Sequence, residues 1–193
     1  MKRLILVAAP PACGKNAVSE RICRAIGEVA YFDKDDLAPL IHRSFALCGE
    51  KVDMDGNFYL QNLRFSEYET LLDMAFSALR FSSTVLINAP LLREVRDESY
   101  MRALKERAHA LGASLTLVWV MASRDVCCER MRARGAQRDE RKLARWEEYV
   151  ARTDFSVPYA LSESGAVDVL FAFDNENEQT AQRSLQQFLM LSE

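Results

Sequence analysis

No apolar run in the 193-residue chain approaches the roughly 20 residues needed to cross a bilayer, so no membrane-spanning segment is expected. The five cysteines, Cys13, Cys23, Cys48, Cys127 and Cys128, contain no C-x-x-C pair and leave one over, which excludes a disulfide frame or a cysteine zinc site and implies reduced thiols. The two histidines, His42 and His109, lie far apart without ligand-like spacing, so neither is a candidate metal ligand or general base. Basic excess is also missing. Lys and Arg number 25 against 28 Asp and Glu, a net charge of −3, which argues against long nucleic acid as the main partner. No repeat, linker or low-complexity tract divides the chain. What remains, 49% apolar and 27% charged, is the composition of an ordinary globular protein, and one cytoplasmic domain spanning residues 1–193 is expected.

Apolar strand-like runs recur at residues 3–9, 29–33, 84–89, 114–121 and 167–173. Between them lie stretches with 3.6-residue periodicity, at 15–27, 35–47, 60–81, 97–111, 124–134, 138–152 and 178–191, with Gly112 and Gly135 as stop signals. Strands alternating with helices predict an α/β fold of three layers, a parallel sheet covered on both faces. Ligands in such sheets sit beyond the carboxyl ends of the strands. The residues to watch are therefore Ala9 to Asn16, Asp33 to Asp36, Asn88 to Arg96, Ser123 to Asp125, and Asp174-Asn175.

The first of these segments reads Ala-Pro-Pro-Ala-Cys-Gly-Lys-Asn, set between the run Leu4 to Ala8 and a helical stretch beginning at Ala17. It matches the phosphate-loop fingerprint G-x-x-x-x-G-K-[ST] at Gly14 and Lys15 and departs from it at Ala9 and Asn16. In that arrangement main-chain N–H groups converge on an anion, the helix presents its positive end, and the lysine reaches the outer phosphates. Pro11, Ala12, Cys13, Gly14, Lys15, Asn16 and Ala17 are the expected nucleotide-binding residues. Two other readings fall short. A chance Gly-Lys would not need strand, turn and helix in order, and the apolar core before the prolines is shorter than the roughly 7 to 15 residues of a secretory signal. Cys13, at a helix mouth, is either an oxidation-sensitive thiol or a small loop filler.

Three carboxylates, Asp33, Asp35 and Asp36, end the second strand, where a phosphate acceptor and its metal would lie. One of them is expected to cap the next helix, Asp35 or Asp36 being the obvious choices, and Asp35 to orient or deprotonate the acceptor hydroxyl. Asn88 ends the third strand where nucleotide hydrolases often place a metal-binding aspartate, so Asn16, Asp33, Asp35 and Asn88 are the candidate Mg²⁺ ligands. The run Asp53 to Gly56 lacks the downstream ligands of a calcium loop. From Arg130 to Arg145 seven basic residues face two acids. Arg130 and Arg134 share a helix face ahead of Gly135, which suits a lid over approximately 130–150 that brings arginine to transferring phosphate; a solvated basic helix is the plain alternative. Arg64, Arg93 and Arg96 are candidate acceptor contacts, with surface pairing of Arg93 and Arg96 to Glu94 or Asp97 as the alternative. Asn175 is placed to meet the nucleotide base or to form a simple turn.

With these residues together, the chain resembles the P-loop kinase superfamily, AAA-type ATP-binding proteins of the branch that holds 5′-hydroxyl polynucleotide kinases and related small-molecule kinases. The resemblance implies a P-loop NTPase fold with a five-stranded parallel sheet in the order 2-3-1-4-5 and a helical lid. It also implies that Lys34-Asp35-Asp36 is the family's basic-acidic motif with Asp35 as the base, that Arg130 and Arg134 are lid arginines, and that Lys15 is the phosphate-loop lysine. Polynucleotide kinases carry a substrate-contacting arginine where this chain has Ala38, which weighs against a nucleic-acid end as acceptor. The expectation is an ATP- and Mg²⁺-dependent transfer of the γ-phosphoryl group to a hydroxyl of a small or nucleoside-like molecule. Its competitors are a catalytically weak nucleotide-binding switch, favoured by Asn16 and Asn88, and a 5′-hydroxyl polynucleotide kinase. The sequence is silent on the acceptor's identity, on ATP against GTP, and on oligomeric state.

Overall fold

A computed structural model describes residues 2–191, with the side chains of Gln137 and Arg138 outside the description. Five strands, β1 (Lys2–Ala8), β2 (Ala30–Asp33), β3 (Thr84–Asn88), β4 (Ala113–Met121) and β5 (Val169–Asp174), form one sheet in the order β2-β3-β1-β4-β5. Every pairing is parallel, in the registers Val7↔Asn88, Val7↔Val118, Asp33↔Asn88 and Met121↔Asp174 at the carboxyl edge. The order expected from the resemblance is the order found.

β1 is buried on both faces because alternate residues feed two cores. Leu4, Leu6 and Ala8 pack with Leu71, Leu72 and Phe76 of α3 (Arg64–Ala78) and with Met101 and Leu104 of α4 (Glu98–Ala110). Ile5 and Val7 pack on the other face with Val18 and Ile22 of α1 (Lys15–Ile26), Cys127 of α5 (Arg124–Arg134), and Ala181 and Phe188 of α9 (Glu178–Met190). Burying each of these large side chains contributes roughly 1.5–3 kcal/mol, which is why a strand with no polar residue after Arg3 takes the central position. Ala9, where the phosphate-loop fingerprint has glycine, is itself buried in this second core.

The periodic segments become helices, with three adjustments. The stretch 35–47 is divided into a 3₁₀ turn over Lys34–Leu37 and α2 (Ala38–Leu47), because the Asp33 side chain accepts from the Asp35 amide and caps the turn. The capping aspartate is therefore Asp33, not Asp35 or Asp36. The stretch 60–81 opens with a π-helical turn over Tyr59–Leu63 before α3. The stretch 138–152 breaks into α6 (Gln137–Ala144) and α7 (Trp146–Arg152) at Arg145 (φ −132°, ψ 50°), which lets Trp146 reach the second core and pack against Tyr149. A short α8 (Tyr159–Glu163), outside the periodic stretches of the sequence, precedes β5. Among the described residues no helix is long and apolar enough to cross a membrane.

Candidate functional site

Parallel strands bring every β-to-α loop to one edge of the sheet, and β1, flanked by β3 and β4, is where the connections diverge to either side. The loop after β1 turns through Ala12 (φ 67°) and Gly14 (φ 91°) before α1 begins. No side chain caps α1, and its first turn holds no acidic residue, so its first N–H groups face outward at the positive end of the helix dipole. Gly14 is demanded twice over. Its φ favours glycine, and a Cβ there would lie 2.3 Å from Asn175 Nδ2. Lys15 Nζ donates to Asn16 Oδ1 at 2.9 Å; Asn16 and Ala17 are exposed.

The loop is held from behind. Asn175 Nδ2 donates to the Cys13 carbonyl at 2.7 Å, and Arg130 donates to the same carbonyl at 3.2 Å and to the Asn175 carbonyl at 2.7 Å. Glu176, next along, accepts from the Ser123 amide and hydroxyl at the start of α5. Three loops that are remote in sequence are thereby knitted into one collar by Arg130 and Asn175. The Cys13 and Cys127 sulfurs touch at 3.5 Å inside it.

On the β2–β3 side, Asp33 Oδ2 accepts from Asn88 Nδ2 at 2.6 Å and from the Tyr31 hydroxyl at 2.8 Å. Burial and the neighbouring Asp33 carboxylate push the Tyr31 phenol upward, so it stays a donor. Asn88 is fully buried, and its Oδ1 has no hydrogen-bond partner among the described residues. An orphaned buried carbonyl oxygen costs about 1–3 kcal/mol unless something reaches it. Asp35 and Asp36 are exposed on the 3₁₀ turn. Among the described residues no three His, Cys, Asp or Glu side chains converge as a metal cage. A metal here would therefore need amide or phosphate oxygens as well as a carboxylate.

Of the remaining candidates, all but Arg93 are engaged with partners the sequence did not reveal. Lys34 is buried, its Nζ 3.0 Å from Glu67 Oε1 and lodged between the rings of Tyr59 and Tyr68, while the Tyr59 hydroxyl donates to the other Glu67 oxygen. Arg64 grips Glu94 with two bonds, at 2.7 and 3.1 Å, and lies over Tyr68. Arg96 bonds the Ser156 carbonyl, pairs with Asp154 at 3.3 Å and stacks on Trp119, so neither Glu94 nor Asp97 is its partner. Arg93 is exposed. Arg134 binds Asp139 Oδ2 through Nε at 2.8 Å and Nη2 at 2.6 Å, and Asp139 is almost fully buried, its other oxygen without a partner among the described residues. Glu67, Glu94 and Asp139 were missed because each sits on an ordinary helix or turn and its importance comes from a partner elsewhere. Shallow depressions on α9 and between Cys23 and Tyr31 do not include the loop, which lies open at the sheet edge.

Residues 4–155 match the sequence model of a family described as an AAA domain. A comparison with curated proteins returns no match. Among solved structures, a candidate kinase from Chloroflexus aurantiacus superposes with a TM-score of 0.69 at 18% identity, covering 98% of this chain and 97% of that one. Kti12 from Chaetomium thermophilum, solved with ADP-AlF3, gives 0.59 at 15% identity, over 97% of both chains. Shikimate kinase from Bacteroides thetaiotaomicron gives 0.54 at 14% identity, over 98% of both. At these identities the likeness is one of fold.

Proposed function

Because this chain belongs to the AAA-domain family and has the fold of the P-loop kinases, we propose that it is an ATP-dependent phosphotransferase carrying the γ-phosphoryl group to a hydroxyl of a small or nucleoside-like molecule. The observation that carries this reading is the Gly14-Lys15 turn at the open mouth of α1, set one strand away from the orphaned Asn88 oxygen. In this scheme the amides of residues 11–17 cradle the phosphates and Lys15 spans the outer two. Lys15 leaves Asn16 to do so, exchanging a neutral amide oxygen for an anion. Asp35, exposed on its turn, orients or deprotonates the acceptor hydroxyl.

The residues present fit a divalent ion. Asn88 Oδ1 is a buried oxygen in want of a partner, with Asp33 bonded to the same side chain, and Asn16 and Asp35 complete the candidate donors. Mg²⁺, when bound, would neutralise charge shared between nucleotide phosphate oxygens. Asn175 and Arg130 hold the loop and border the nucleotide. Arg134 belongs to a lid over approximately 130–150, and it reaches phosphate only by giving up Asp139, an exchange of one anion for another that keeps the arginine paired throughout. Of the acceptor-side arginines, Arg64 and Arg96 are held by carboxylates, which leaves exposed Arg93 for an anionic group on the acceptor. We place the protein in the cytoplasm as one domain of residues 1–193, with a small-molecule acceptor favoured over nucleic acid and no membrane partner.

The test is ADP release with Mg²⁺ and ATP against a panel of nucleosides, sugars and other hydroxyl compounds. One acceptor should stimulate turnover, and Lys15→Ala should lower it about 10²-fold or more, the scale of losing one positioned transition-state donor. Undiminished turnover in that variant would refute the mechanism. A second reading, a nucleotide-dependent switch, is favoured by the amide at Asn16 where a hydroxyl normally meets the metal; tight nucleotide binding without transfer to any acceptor would select it.

A further inference from the structure

We propose that Cys13 and Cys127 are a redox modification site, oxidised by a hydroperoxide to an intramolecular disulfide that takes the phosphate-binding loop out of its nucleotide-binding form. The two sulfurs are in contact at 3.5 Å, although 114 residues separate them in the chain. Of the five cysteines, these two are the ones paired with each other: Cys23 and Cys48 lie toward the surface on α1 and beyond α2, and Cys128 points into the buried side of α5. Both are buried in the second core. Both are set at the point where α5 meets the loop, one turn before Arg130, whose guanidinium binds the Cys13 carbonyl.

The surroundings prepare the pair for oxidation. The hydrogen bond with Cys127, and burial, push the Cys13 thiol up, while the Cys13 S–H and then the Arg130 cation draw Cys127 down against its burial, so Cys127 is the more acidic of the two and the first to react. In the reaction Cys127 gives up its proton and its sulfur attacks one oxygen of hydrogen peroxide; the S–O bond forms, the O–O bond breaks, and the departing hydroxide takes up that proton and leaves as water. Cys13 then attacks the sulfenic sulfur, the S–S bond forms, and the expelled hydroxide takes the Cys13 proton as a second water. Two thiols lose two electrons and the peroxide gains them. The thiols are buried beneath the half-exposed Pro11-Ala12 turn, so the oxidant must be small.

The consequence follows from geometry. A disulfide holds its sulfurs about 2.05 Å apart, so the pair must close by about 1.5 Å. That movement falls on Cys13, whose carbonyl is gripped by Asn175 and Arg130, and on Gly14, which has no slack against Asn175. The amide cradle is pulled toward α5. The effect on nucleotide rests on the phosphate-loop reading of the previous subsection; the formation of the bond does not.

The experiment uses the full chain carrying Cys23→Ser and Cys48→Ser, reduced, then treated with a few equivalents of hydrogen peroxide and quenched with an alkylating agent. Intact mass should fall by two hydrogens, and peptide mapping should join Cys13 to Cys127. ADP affinity should drop tenfold or more and return on adding a dithiol. With Cys127→Ala added, peroxide should leave ADP affinity unchanged. Alkylation of both thiols after peroxide, a cross-link to Cys128 instead, or a joined pair with undiminished ADP affinity would each overturn the proposal. If the reduced chain binds no nucleotide at all, the phosphate-loop reading fails while the mass and mapping still decide the thiol pair.

Discussion

At the scale of single residues the site depends on atoms that have no room to move. Gly14 at φ 91° with Asn175 Nδ2 2.3 Å from its absent Cβ is the clearest case. Gly14→Ala adds a left-handed strain of about 1–3 kcal/mol and displaces the amide that holds the Cys13 carbonyl. ADP affinity measured by calorimetry should fall at least tenfold. Gly135→Ala shares a positive φ but has nothing within 4 Å of its Cβ, so it should lower stability slightly and leave affinity alone. Glu67 tests a different physics. Its side chain is fully buried against Lys34, so Glu67→Ala strands a buried ammonium and should cost about 3–5 kcal/mol in urea unfolding, whereas replacing both Lys34 and Glu67 by apolar residues of similar volume should restore most of it. Failure of the double variant to recover would mean that Lys34 is held by the rings of Tyr59 and Tyr68 more than by charge.

At the scale of elements, α5 is a strut. Arg130 on it serves the carbonyls of Cys13, Asn175 and Glu176, which a lysine with one ammonium head cannot reproduce. Arg130→Lys should weaken ADP binding about tenfold and raise amide hydrogen exchange at residues 12–15, with α5 itself unchanged; equal exchange in both proteins would show that the loop holds its own shape. The same element shows what the sequence made legible. The span 124–134 matches the helix found, Gly135 being a local stop signal in the sequence, while the Ser123 cap at its start appears only in the structure. The five strands are legible for the same reason, as apolar runs between helical periods. The division at Arg145 and the 3₁₀ turn after β2 are not, because a core seat for Trp146 and a side-chain bond from Asp33 decide them. Of the site, residue types were visible and pairings were not. Arg130 meets Cys13 across 117 positions, and no periodicity encodes that contact.

At the scale of the whole molecule, several carboxylates join segments far apart in the chain, and their ionisation is linked to folding. Glu178 on α9 is held low by Arg21 of α1, Glu176 by the hydroxyl and amide of Ser123 before α5, and Asp154 by Ser156 with Arg96 adding to it. Asp168 is raised by burial, but the Leu115 N–H, Lys105 and His109 outweigh that and leave it low, tying β5 to β4 and α4. A carboxylate whose pKa is lower in the folded chain contributes stability above its unfolded value near pH 4, and that contribution disappears as pH falls through the folded value. Stability should therefore be flat from neutral pH down to about pH 5 and decline below about pH 4, with loss of contacts between elements rather than within helices. Asp168→Asn isolates one such link. It should cost about 1 kcal/mol near pH 7, and because the wild-type advantage exists only while Asp168 is ionised, the two unfolding curves should converge as the pH falls through the lowered folded-state value of Asp168. Urea unfolding followed across that range reads the difference directly. A gap that stays constant to the lowest pH would assign the Asp168 contribution to shape and neutral hydrogen bonding instead of charge.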